Sequence, residues 1–207
     1  MNLESKTTTV GITSREYVVL AADKRATAGP TIYHKNVKKI ARITGRSALT
    51  MSGLVADAQF IVENARYFAR QYEVHMGKTP GIKSMANYMS LLLSTYLRVY
   101  PFIVQLLLGG YDHEGPQLYY IDLYGTVTRE KYMATGSGSP VAFGVLEAGY
   151  RDDLNVEDAV DLAIKAVTTA LMRDGFSGEG VDIVVIGREG VVSEKTVSLK
   201  KTLISSS

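Results

Sequence analysis

The feature that most constrains the fold is a change of hydrophobic period at Leu54. Before it, apolar and β-branched residues come in short runs at residues 7–12, 17–22, 31–33, 37–43 and 47–51, parted by turn-forming residues, a pattern that reads as an antiparallel meander. After it, Leu54, Ala58, Ile61, Val62, Ala65 and Phe68 recur at helical spacing, with Asp57, Glu63, Arg66 and Arg70 read as lying off that stripe. A second helical pattern follows Pro80, carries Ile82, Met85, Met89, Leu92, Leu93 and Tyr96, and stops before Pro101. The cycle then repeats. Strands are expected at residues 102–108, 117–122 and 127–134, with Gly109, Gly110 and Gly125 at the turns. Helices follow at residues 140–150 and from Asn155, which suits an N-cap with Asp158 three residues on. Final strands at 181–186 and 191–199 flank a turn at 187–190.

Two helix pairs, each following a set of mainly antiparallel strands, predict an α+β fold in which two sheets pack together and helices cover both outer faces. At 207 residues, 46% hydrophobic and 21% charged, the chain suits one globular domain with a sizeable core, here residues 7–207 after a short leader. A formal net charge of +2 argues against a nucleic-acid surface. With no cysteine there is no thiol nucleophile, and His34, His75 and His113 lack metal-binding spacing, so no metal is expected. The apolar stretch 89–108 is broken by Ser94, Arg98, Pro101 and Gln105, which excludes a membrane span, and residues 1–6 are too short and polar for a signal peptide. The expected location is the cytoplasm, and the tail 204–207 is expected to be loose.

The leader runs directly into Thr7-Thr8-Thr9. These residues suit an edge strand. Yet a threonine placed first in a chain also carries its own base, an α-amine of pKa near ~8, whereas in the uncut chain that nitrogen is an amide.

Several separated motifs together resemble the β subunit of the proteasome core particle, archaeal type, over nearly the whole chain. They are Thr7 to Ile12 (TTTVGI), Ala22 to Thr27 (ADKRAT), His34 to Ile40 (HKNVKKI), Ser52 to Gln59 (SGLVADAQ), Thr135 to Pro140 (TGSGSP) and Arg173 to Gly178 (RDGFSG). Each alone is an ordinary turn or strand end; their order and separation carry the resemblance. It implies the four-layer αββα sandwich of the amino-terminal nucleophile hydrolases. It also implies a threonine endopeptidase with Thr7 as nucleophile, Lys39 beside its hydroxyl and Asp23 paired with that lysine. Arg25 takes a supporting role, and Gly53 supplies a backbone N–H to the oxyanion. Ser137, Asp174 and Ser177 surround the threonine amine. The positions matching the family's specificity pocket are Ala26, Val37, Met51 and Val55, all apolar, which predicts cleavage after hydrophobic residues because a charged side chain would be desolvated there without a partner.

The resemblance further implies seven-membered rings shared with other copies or a second β type, α-subunit partners, and an ATP-dependent unfoldase that delivers unfolded proteins. It implies no cofactor. One position departs from the family pattern: self-processing precursors have glycine before the catalytic threonine, and here Lys6 stands there, at the expected Lys6-Thr7 cleavage point. That residue favours an alternative, an unprocessed structural β subunit working beside an active one. A simpler bacterial ring protease also begins with paired threonines, but the SGLVADAQ and TGSGSP motifs fit the archaeal type better.

Overall fold

The computed structural model describes residues 7–28, 31–175 and 178–198, with only the backbone at Ala28 and Tyr33. The leader, Ser177 and the tail therefore lie outside the described residues. The strands are β1 (Thr9–Thr13), β2 (Val18–Asp23), β3 (Ala26–Ala28), β4 (Thr31–His34), β5 (Ile40–Thr44), β6 (Ser47–Gly53), β7 (Val104–Asp112), β8 (Gly115–Ile121), β9 (Val127–Glu130), β10 (Tyr132–Thr135), β11 (Gly180–Gly187) and β12 (Gly190–Ser198). Helices α1 (Val55–Met76) and α2 (Ile82–Tyr96) precede β7; α3 (Ser139–Gly149) and α4 (Val156–Leu171) precede β11.

One five-stranded sheet has the order β10-β1-β2-β11-β12 and the other β5-β6-β7-β8-β9, with β3 and β4 as a separate hairpin. All pairings are antiparallel. Between the sheets lie Val18, Leu20, Ala48, Leu107, Leu118, Val184 and Ile186. Val19, Ala21, Ile183 and Val185 point the other way, into the core under α3 and α4, while Leu106 and Leu108 pack beneath α1 and α2. Successive side chains of a strand face opposite sides, so a strand covered on both faces must be apolar throughout. The VVLAA run of β2 and the LLL run of β7 are the central strands of a four-layer αββα sandwich, as expected from the element order.

A local capping signal starts α4. Asn155 caps α4, its side-chain oxygen accepting the Asp158 N–H at 2.8 Å. The buried stripe of α4 is Ala159, Leu162, Ala163, Ala166, Val167 and Ala170, while Val156, Val160 and Leu171 pack at its margin. Among the described residues no helix is long and apolar enough to cross a membrane.

Four expectations are corrected. The first strands do not form one meander: β1 and β2 belong to one sheet, β5 and β6 to the other, and the chain crosses between them through the β3–β4 hairpin. The run expected at 127–134 is two strands, β9 closing one sheet against β8 and β10 joining the other against β1, with the crossing at Lys131. Gly109 and Gly110 lie inside β7 rather than in a turn. They are small because a Cβ would come within 2.8 Å of Val18 Cγ1 and 2.3 Å of Ile82 Cδ1, respectively. Asp57 is not off the α1 stripe but buried on it.

Candidate active site

Strand register delivers the site. In the β1–β2 pair Thr9 faces Ala22, and one step further the Asp23 N–H donates to the Thr8 carbonyl at 3.1 Å, so Asp23 ends β2 beside the start of the described chain. On the other flank of β1, Thr9 faces Thr135, and the Gly138 N–H reaches the Thr7 carbonyl at 3.3 Å. The TGSGSP turn is glycine-rich for a contact reason: Gly136 has φ 89°, and a Cβ on it would lie 2.2 Å from the Thr7 carbonyl oxygen. Lys39 comes from the segment before β5, fixed by the Met51 N–H donating to its carbonyl at 2.9 Å.

These elements converge on the Thr7 hydroxyl. Thr7 Oγ1 donates to Asp23 Oδ1 at 2.8 Å and accepts a hydrogen bond from Lys39 Nζ, which also donates to Asp23 Oδ1 at 2.7 Å. Asp23 is fully buried, and the rest of its carboxylate is satisfied by backbone: Thr8 N–H on Oδ1 at 3.0 Å, and Arg25 and Gly178 N–H on Oδ2, each at 3.0 Å. A buried carboxylate so surrounded is held in one rotamer and keeps both partners in place. Burial lowers the Lys39 pKa below the ordinary lysine value of 10.5, opposed by the charge and hydrogen bond of Asp23 and by the charge of Asp174. A lysine in that position polarises the hydroxyl when protonated and accepts its proton when neutral.

The backbone nitrogen of Thr7 faces the third group. Its N–H donates to Ser137 Oγ at 3.2 Å, and Ser137 Oγ donates to Asp174 Oδ2 at 2.8 Å. Asp174 lies just past α4, its N–H donating to the Ala170 carbonyl at 2.7 Å. Arg25 reaches the same loop after α4, donating to the Gly175 carbonyl at 3.0 Å and to Glu179 Oε1 at 2.9 Å. Gly53 ends β6 with φ 120°. Of the expected specificity residues, Ala26 and Val37 are half-buried, Met51 packs against the core under α1 and α2, and Val55 is 56% exposed on the first turn of α1.

Several site residues escaped sequence reasoning. The Thr8 and Gly178 N–H groups on Asp23 carry no side-chain signal. Behind Thr7, hydroxyls from both sheets join: Thr9 Oγ1 lies 3.0 Å from Thr50 Oγ1 and 2.7 Å from Thr135 Oγ1, Thr135 Oγ1 lies 3.0 Å from Ser52 Oγ, and Ser52 Oγ donates to the Gln105 carbonyl at 3.1 Å. A threonine or serine within an otherwise apolar strand was the available sign.

The chain matches the family model described as "Proteasome subunit" over residues 4–186. It is 69% identical to "Proteasome subunit beta 2" of Desulfurococcus amylolyticus, over 98% of each chain, and 59% identical to "Proteasome subunit beta 2" of Staphylothermus marinus, over 97% of this chain and 96% of that one. With "Proteasome subunit beta 1" of Pyrobaculum aerophilum it shares 53% identity over 88% of this chain and 91% of the relative. The αββα layers are those of the amino-terminal nucleophile hydrolases expected for such relatives, and this chain belongs to the proteasome subunit family, among its archaeal β subunits.

Proposed function

We propose that this chain is a threonine endopeptidase subunit that becomes active when residues 1–6 are removed at the Lys6-Thr7 bond. The observation that carries the reading is the Thr7 hydroxyl held between Asp23 Oδ1 and Lys39 Nζ, with the Thr7 nitrogen against Ser137. On cleavage that nitrogen becomes an amine. The Thr7 hydroxyl proton passes to a neutral base, the amine or Lys39, as Oγ1 attacks the scissile carbonyl. The Gly53 N–H stabilises the tetrahedral oxyanion. The peptide C–N bond breaks, the leaving amine takes the proton, and water hydrolyses the threonine ester to restore the hydroxyl. Ser137 and Asp174, with Ser177, orient the amine and relay its proton.

The apolar character of Ala26, Val37, Met51 and Val55 supports cleavage after hydrophobic residues. Peptide reporters carrying Leu or Tyr, Arg, or Glu before the scissile bond test it: the fastest turnover is expected with Leu or Tyr, and a preference for Arg or Glu refutes it. Family membership supports assembly with other proteasome subunits in rings. In this reading the rings are seven-membered, stacked on α subunits in the cytoplasm, and fed unfolded proteins by an ATP-dependent unfoldase.

A second reading has its own observation. Relatives carry the names beta 1 and beta 2, which suggests paired β types, and Lys6 stands where self-processing members have glycine. On that reading the chain keeps its leader and contributes interfaces only. Intact-mass analysis of the chain assembled with α subunits and any second β type, beside Thr7→Ala, separates the two: loss of residues 1–6 that depends on Thr7 supports the peptidase.

A further inference from the structure

Asp57 is the third residue of α1, on the same stripe as Ile61 and Ala65, and only 5% exposed. Its Oδ2 accepts the Ile103 N–H at 2.8 Å, and the Ile103 carbonyl accepts the Leu54 N–H at 2.9 Å. Leu54 is the N-cap of α1 and has no side-chain oxygen, so the entry to the helix is tied to the backbone just before β7 instead. The Ile103 carbonyl also excludes a side chain at residue 53, where a Cβ would lie 2.0 Å from the oxygen. The Ile103 carbonyl therefore sets how the backbone at Gly53 turns out of β6, and one buried carboxylate holds the same residue from the helix through its N–H, in the adjoining peptide.

A carboxylate in the first turn of a helix is favourable to the helix by itself, through the partial positive charge there. That effect asks for no partner before β7 and no burial. Burial of a carboxylate is unfavourable unless donors meet it, and here the donor belongs to the segment in contact with Gly53.

We propose that Asp57 is a positioning residue that, through Ile103, fixes the direction of the Gly53 N–H. The proposal deepens and rests on the reading of Thr7 as nucleophile and Gly53 as oxyanion donor. Asp57 touches no reacting atom; its effect falls on transition-state stabilisation, so it belongs in kcat rather than KM.

The test uses particles assembled from the full chain with its α and any β partners, and a hydrophobic peptide reporter. Asp57→Ala lowers kcat roughly 10- to 100-fold with KM unchanged, the scale expected of a misplaced catalytic donor. Asp57→Asn, whose amide oxygen still accepts the Ile103 N–H, retains most of kcat. Asp57→Glu keeps the charge at the helix start but carries the acceptor one methylene too far, and loses kcat as Ala does. Wild-type kcat in both Ala and Glu variants, or a matched change of kcat and KM, overturns the positioning role. If the Ala variant does not assemble, the Asn and Glu variants decide. Active wild type with unaffected variants refutes this proposal alone, whereas wild type without Thr7-dependent turnover refutes the nucleophile reading and this proposal with it.

Discussion

Lys39 is the residue on which the proposed chemistry turns. Burial lowers its pKa below 10.5, while the neighbouring Asp23 charge raises it. Between the lowered value and 10.5 the unfolded chain binds a proton that the folded chain has released. The contribution of Lys39 to stability is therefore unfavourable below its folded pKa and is relieved as pH rises through that window. Asp23→Asn removes the largest raising influence, so Lys39 should titrate at still lower pH. NMR of the chain labelled at lysine Cε, with Lys39→Arg to assign the signal, reads this directly, and a titration moved upward contradicts the account. At this scale Thr7, Asp23 and Lys39 were singled out through the family resemblance of the motifs that hold them, and the fold brings the three side chains together. Asp57 was misread because a carboxylate counts as polar in a periodic pattern even when it shares a stripe with Ile61 and Ala65; its burial depends on a donor forty-six residues away in sequence.

At the scale of elements, the two sheets are joined behind Thr7 by hydroxyls rather than methyls. Thr135 on β10 bridges Thr9 on β1 and Ser52 on β6. Thr135→Val conserves shape but leaves each neighbour with one partner fewer, at an expected loss of about 1–2 kcal/mol in urea unfolding of the chain. An unchanged midpoint would show that the hydroxyls re-pair. Element types and order were legible from the switch between two-residue and helical periods. Sheet membership was not. Residues 127–134 carry no break in pattern, yet β9 and β10 close different sheets, because pairing partners are chosen by tertiary packing and not by local preference. The glycine pair of β7 misled for the same reason: glycine marks close approach as well as turns, and only Val18 and Ile82 reveal which.

For the whole molecule, the layers place the ends of β2 and β6, the start of β1, the exit of β10 and the exit of α4 at one edge of the sandwich, where the Thr7 cluster forms. Helix α1 exposes Tyr67 and Val74, α2 exposes Leu91, and Val99 follows it at 86% exposure, apolar surface suited to the subunit contacts that a ring requires. The proposed activity depends on a single covalent event, release of the Thr7 nitrogen. The most direct measurement is the intact mass of this chain recovered from particles assembled with its α and any second β partners. The account predicts a chain beginning at Thr7, with the leader retained only in Thr7→Ala particles; residues 1–6 still attached in every wild-type particle would contradict it.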